Sequence, residues 1–194
     1  MLSLAWSTAA AAGGEEGGLF DRLRRRDAQA MAQLYDRYGR AVYALIHRIV
    51  QDTAVAEDLV QETFLRIWNQ AQAFDPGRGS AAAWILTVAR NRAIDWKRSA
   101  EGKAERNLWE VYDDERPAQF LDFEKQLIHA DQAERVRRAM EKLNDKQRTV
   151  IELAYFEGLT QSEMAERTGQ PLGTIKTWVR AALQLLRQEL GGAS

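Results

Sequence analysis

Between residues 28 and 50 the apolar residues Leu34, Tyr38, Val42, Leu45, Ile46 and Ile49 recur at intervals of three and four, which gathers them on one side of an α-helix. No convincing strand is found anywhere in the chain. Only three prolines occur in 194 residues, and long stretches of Ala, Leu, Glu, Arg and Gln favour helix. The expected fold is therefore all-α. This length holds one ordinary domain or two small ones, and 45% hydrophobic residues are enough for compact cores.

The chain divides by pattern into four parts. Residues 1–18 open with a short apolar run and alanines that imitate a signal peptide but lack its basic start, and the expectation is a disordered extension. Residues 19–98 and 130–194 carry helical periodicity. Residues 99–129 lose it and gather Asp113, Asp114, Glu115 and Pro117, which predicts a flexible acidic linker. Trp109, Tyr112, Phe120 and Phe123 within that linker suggest that it docks somewhere. The net charge of −1 conceals a basic surplus in 19–98 and an acidic one in 99–129.

The last part carries a helix, a turn and a second helix. Thr160 with Glu163 forms a capping box, Gly169 supplies a left-handed stop, and Pro171 lets a new helix begin. Ala165, Gly169, Ile175 and Trp178 fit the small, turn and apolar positions of a helix-turn-helix. Val179, Leu183, Leu186 and Leu190 extend its buried side, while Thr174, Lys176, Thr177 and Arg180 point outward, as in a helix that reads the major groove. Ahead of it, Asn144 with Gln147 caps another helix, which Gly158 ends.

In the 19–98 block a second helix, from about Thr53 to Asn69, buries Ala56, Leu59, Val60, Thr63, Phe64 and Ile67. Its opposite face carries Asp58, Gln61, Glu62 and Leu65, and an exposed leucine among carboxylates and an amide suits a basic protein partner. A turn-rich loop with Phe74, Pro76, Gly77 and Gly79 follows, and Ser80 caps a third helix running to about Arg98. Ile85, Val88, Ala89 and Trp96 share its inner face. Thr87, Asn91, Ile94 and Arg98 share the outer one, with Arg90 and Lys97 beside them. Such a row, with Phe74 able to stack on an unpaired base if exposed, suits single-stranded nucleic acid, whereas a capped surface helix with a buried Phe74 is the default reading of this block by itself.

No catalytic constellation surrounds His47 or His129, and the absence of cysteine removes disulfides and thiolate metal sites and fits a reducing cytoplasm. No cofactor or metal is expected.

The run Asp58-Leu-Val-Gln-Glu-Thr-Phe64, the segment Ala83-Trp-Ile-Leu-Thr-Val-Ala-Arg-Asn91 with Asp95 and Arg98 beyond it, and the closing helix-turn-helix together resemble the extracytoplasmic-function sigma factors of bacterial RNA polymerase. The resemblance covers about residues 28–98 and 133–190. It implies two helical domains, called regions 2 and 4, without enzymatic chemistry. Region 2 would dock on core polymerase through Asp58, Gln61 and Glu62 and capture an extruded base of the minus-10 element with the Phe74 loop and Asn91. Region 4 would face the minus-35 element with Thr174, Lys176, Thr177 and Arg180. Lysine at 176, where arginine is also common in the family, is a point charge rather than a bidentate fork. The linker would thread through polymerase near the transcript path, and an anti-sigma protein, often membrane-bound, would hold the factor inactive. A stand-alone helix-turn-helix regulator, binding duplex DNA without polymerase, is the alternative.

Overall fold

The computed structural model describes residues 13–78, 80–100 and 138–191. Every regular element among them is helical: α1 (Gly13–Arg24), α2 (Ala28–Val50), α3 (Thr53–Asn69), short 3-10 turns at Ala71–Ala73 and Pro76–Arg78, α4 (Ala81–Ala100), α5 (Asp145–Phe156), α6 (Gln161–Thr168) and α7 (Leu172–Gly191). Residues 138–141 are helical as well. The linker beyond Ala100, with its acidic cluster and aromatics, lies outside the described residues.

Local chemistry sets most boundaries. Asp27 and Asp52 accept hydrogen bonds from the Gln29 and Val55 amides and so start α2 and α3. Ser80 Oγ accepts from the Ala83 amide at 3.4 Å at the head of α4. Asn144 with Gln147 and Thr160 with Glu163 both close complete capping boxes. Gly169, at φ 65°, ends α6 with its amide on the Ala165 carbonyl. The Pro171 carbonyl accepts from Thr174 and Ile175 as α7 begins. Replacing Thr160 by Ala should lower stability by about 1 kcal/mol, because the Glu163 amide loses its acceptor. Thermal unfolding followed by circular dichroism checks this.

One boundary differs from expectation. Helix α1 begins at Gly13, so residues 13–18 are helical rather than part of a disordered extension. Intrinsic propensity in Gly-Gly-Glu-Glu-Gly-Gly argues against helix. Buried Leu19, Phe20 and Leu23 anchor the following turns against α2 and the Ala71–Ala73 turn, and tertiary packing overrides propensity.

Two cores result. In the first, α2 packs on α3 and α4 around Leu34, Tyr38, Val42, Ile46, Leu59, Phe64, Ile67, Ile85 and Ala89. In the second, α5, α6 and α7 enclose Leu143, Val150, Ile151, Met164, Ile175, Val179, Leu183 and Leu186. Tyr155 and Phe156, at the end of α5, pack on the first core, so the two modules touch.

Candidate polymerase and nucleic-acid interfaces

Helix α3 buries the stripe expected of it and turns Asp58, Gln61, Glu62 and Leu65 to solvent. Leu65 is 62% exposed, the most open large apolar side chain among the described residues. It lines a hollow with Glu62, Arg66, Asn69, Gln70 and Arg92. Glu62 pairs with Arg92 of α4, which fixes the carboxylate beside Leu65. A second hollow, between α2 and α3, joins this face through Gln61 and is bordered by Tyr35, Arg40, Tyr43 and Glu57. Tyr35 is half exposed, and its ring lies 4.9 Å from that of Phe64. Sequence reasoning missed Tyr35. Its signal was an aromatic one step off the apolar stripe of α2.

On α4 the predicted row is split. Thr87 and Asn91 line a hollow of about 750 Å³ with Arg66, Gln70, Gln72, Ala73, Trp84 and Val88. Trp84 was missed, although its spacing of three and seven from Thr87 and Asn91 puts it on their side of the helix. It supplies an aromatic surface inside the hollow. Phe74 does not: it is 3% exposed, its ring 4.1 Å from Phe20 and 5.8 Å from Trp84, and its carbonyl accepts from Arg24 at 2.6 Å. The base-capturing ring that the resemblance implies at Phe74 is thus a core residue, because α1 and Trp84 enclose it.

Arg90, Ile94 and Arg98 are covered as well. Arg90 is 1% exposed, and donates from Nε to the Tyr155 carbonyl (2.6 Å) and from Nη2 to that of Ala154 (2.7 Å). Arg98 donates to the Gly158 carbonyl (2.5 Å) and to Glu163 (3.1 Å). Ile94, expected on the outer face, is 1% exposed beneath Gly158. The outer face is open toward the start of α4 and occupied by the second module toward its end. Asp95 lies within this part of the helix. Burial pushes its carboxyl above the usual carboxylate range, against the pull of Arg92, Arg66, Arg98 and Arg90.

Helix α7 presents Lys176, Thr177 and Arg180 to solvent with Thr174 half-buried beside them. Ile175 and Val179, 0% and 1% exposed, hold the opposite side in the core. Among the described residues neither Lys176 nor Arg180 is ion-paired, while the Thr177 hydroxyl donates to the Gly173 carbonyl at 2.9 Å. Two cations and a hydroxyl on a helix whose other side is packed in the core can meet base edges or phosphates. No described helix is long and apolar enough to cross a membrane.

Comparison with known proteins gives concordant matches. A profile described as sigma-70 region 2 matches residues 34–102, and one described as sigma-70, region 4 matches residues 133–186. The chain is 34% identical over 180 residues to a protein of Mycolicibacterium vanbaalenii named ECF RNA polymerase sigma factor SigK, covering 92% of this chain and 91% of that one. It is 38% identical over 169 residues to the SigK of Mycobacterium tuberculosis strain H37Ra, covering 87% and 90%. Among solved structures, the RsbN-BldN complex aligns at 27% identity and TM-score 0.38, over 87% of this chain and 97% of that chain. CnrH in complex with the cytosolic domain of CnrY aligns at 22% identity and TM-score 0.41, over 92% and 99%.

Proposed function

Because this chain belongs to the extracytoplasmic-function sigma factors of the sigma-70 family, we propose that its two modules divide promoter reading between them, with no chemistry of their own, in the cytoplasm. It is a polymerase specificity subunit that directs promoter-specific initiation by recognising the minus-10 and minus-35 elements and assisting melting. The stand-alone regulator is disfavoured by similarity to polymerase sigma factors over nine-tenths of the chain.

The observation that carries the division of labour is the solvent-facing row of Lys176, Thr177 and Arg180 on a helix whose other side is buried. In this reading Arg180 and Lys176 meet the minus-35 duplex, with Thr174 and Thr177 at the edges of the contact. Thr87, Asn91 and Trp84 receive an extruded minus-10 base in the α4 hollow, where stacking and an amide offset the few kcal/mol of unstacking. Arg90 and Arg98 join that surface only once freed from the second module. Phe74 shapes the hollow from beneath by holding Trp84. Asp58, Gln61, Glu62 and Leu65 dock on core polymerase, and an anti-sigma protein competes for the same face. Residues 99–129 join the modules across polymerase.

Run-off transcription with purified core polymerase on a genomic promoter library tests this. Arg180→Ala should weaken minus-35-dependent selection by about 1 to 3 kcal/mol, roughly five- to 150-fold. Asn91→Ala should leave promoters bound but slow to melt, read by permanganate footprinting. Loss of core affinity alone in both variants would overturn the division. Absence of added selectivity, with tight binding of the free protein to palindromes, would restore the regulator.

A further inference from the structure

Part of the wall of the α4 hollow is a segment that supports itself poorly. Helix α3 ends at Asn69, and Gln70, Gln72 and Ala73 beyond it line the hollow together with Trp84, Thr87 and Asn91 of α4. The turn Ala71–Ala73 is 3-10 and has no side-chain cap, although the Ala73 amide donates to the Gln70 carbonyl at 2.8 Å. Short 3-10 pieces have poorer hydrogen-bond geometry than an α-helix. Further support comes from the end of α1, more than 40 residues earlier in the chain.

Two arginines there reach the two ends of the segment. Arg26 donates from Nη1 to the Trp68 carbonyl at 3.1 Å, and its guanidinium lies 5.3 Å from the centroid of the Trp68 ring. Arg24 donates from Nη2 to the Phe74 carbonyl at 2.6 Å, while its Nη1 is held by Asp21 at 2.7 Å. Phe20 adds an apolar tie, its ring 4.1 Å from that of Phe74 and 5.6 Å, edge-on, from that of Trp84. Helix α1 is thus tied both to the turn and to the aromatic surface of the hollow. Arg26 also carries a backbone cost. Its φ is 63°, in the left-handed region where glycine is the ordinary residue after a helix. An exposed guanidinium adds little to stability through such contacts, so folding alone gives no reason for arginine at this position. Backbone strain of this kind collects where geometry serves a site.

We propose that Arg24 and Arg26 are positioning residues for base capture: they pin both ends of the segment from Trp68 to Phe74 and so fix Gln70, Gln72 and Ala73 relative to Trp84. They act through the turn and touch no base themselves. An extruded base has lost its stacking, and a hollow already at the right width offsets that cost without first having to order its own wall. Their role rests on the α4 hollow being the receiver of a minus-10 base.

Holoenzyme assembled from core polymerase and the full chain tests this on a promoter recovered from the run-off library, with opening followed by permanganate footprinting. Arg26→Gly relieves the left-handed backbone, so its thermal midpoint should equal or exceed the parent's. Its promoter opening should nevertheless slow about tenfold, the order expected for one charge-assisted hydrogen bond. Arg24→Met should slow opening similarly at unchanged core affinity, and Arg24→Lys, which keeps a donor, should recover most of the rate. An abasic site at the extruded minus-10 position should slow the parent. Combined with Arg24→Met it should add less than about twofold, because both changes remove the same capture step. Parental opening rates in Arg24→Met and Arg26→Gly would overturn the positioning role. So would a deficit that multiplies fully with that of the abasic site, or one seen only in variants whose thermal midpoint falls. If neither the abasic site nor Asn91→Ala slows opening in the otherwise unmodified holoenzyme, the base-receiving hollow itself falls, and the role of both arginines with it.

Discussion

Ile175→Ala should unfold the second module while the first remains folded. Ile175 is fully buried in the small cluster between α5, α6 and α7. Truncating a buried isoleucine costs about 2 to 5 kcal/mol, counting the lost transfer energy and the cavity. A module of this size holds only about 3 to 5 kcal/mol. Calorimetry should show the module's transition displaced downward or lost at growth temperature. Ile175→Val, at about 0.5 to 1.5 kcal/mol, should shift it only modestly. Minus-35 selection should vanish in the alanine variant while binding to core polymerase through α3 survives. An unshifted transition would mean that Ile175 is not the keystone its burial implies.

Leu65→Asp should have the opposite signature: unchanged stability and failed assembly. Leu65 is already 62% exposed, so polar replacement falls within the roughly 0.5 kcal/mol range of surface substitutions. At an interface, an apolar anchor ringed by polar groups is a position where loss costs about 2 kcal/mol or more, roughly thirtyfold in affinity. The surroundings fit that role, because the Glu62–Arg92 pair and Asn69 rim the hollow that Leu65 enters. Competition against a labelled sigma factor for core polymerase measures the effect. Asp58→Lys should add to it and reduce its salt dependence, since the proposed partner surface is basic. Core affinity equal to that of the parent chain would remove Leu65 from the docking face.

Much of the fold was legible because its signals are local. Asp27, Asp52, Asn144 and Thr160 announce helices within three residues, and Gly169 announces a stop, so these boundaries follow from residues adjacent in sequence. The start of α1 was not legible, since its support comes from Leu19, Phe20 and Leu23 packing on α2 and the turn after α3. The candidate site shows the same limit. Leu65 could be read as exposed from periodicity alone, whereas Phe74 is enclosed by Phe20, far earlier in the chain. Arg90 and Arg98 mislead for a physical reason. A helix that buries apolar groups on one side and arginines on the other looks amphipathic, yet arginines can be buried wherever backbone carbonyls receive them. Those carbonyls lie 60 or more residues away, and nothing near Arg90 or Arg98 in sequence advertises them.

The carboxylate of Glu163 accepts the Thr160 amide at 2.7 Å as well as Arg98 at 3.1 Å. Parting from Arg98 leaves the first of these bonds in place, so α6 keeps its cap and α7 its seat throughout. The α6 cap thus belongs to the second module alone, and the Arg98 contact adds to it without being required for it.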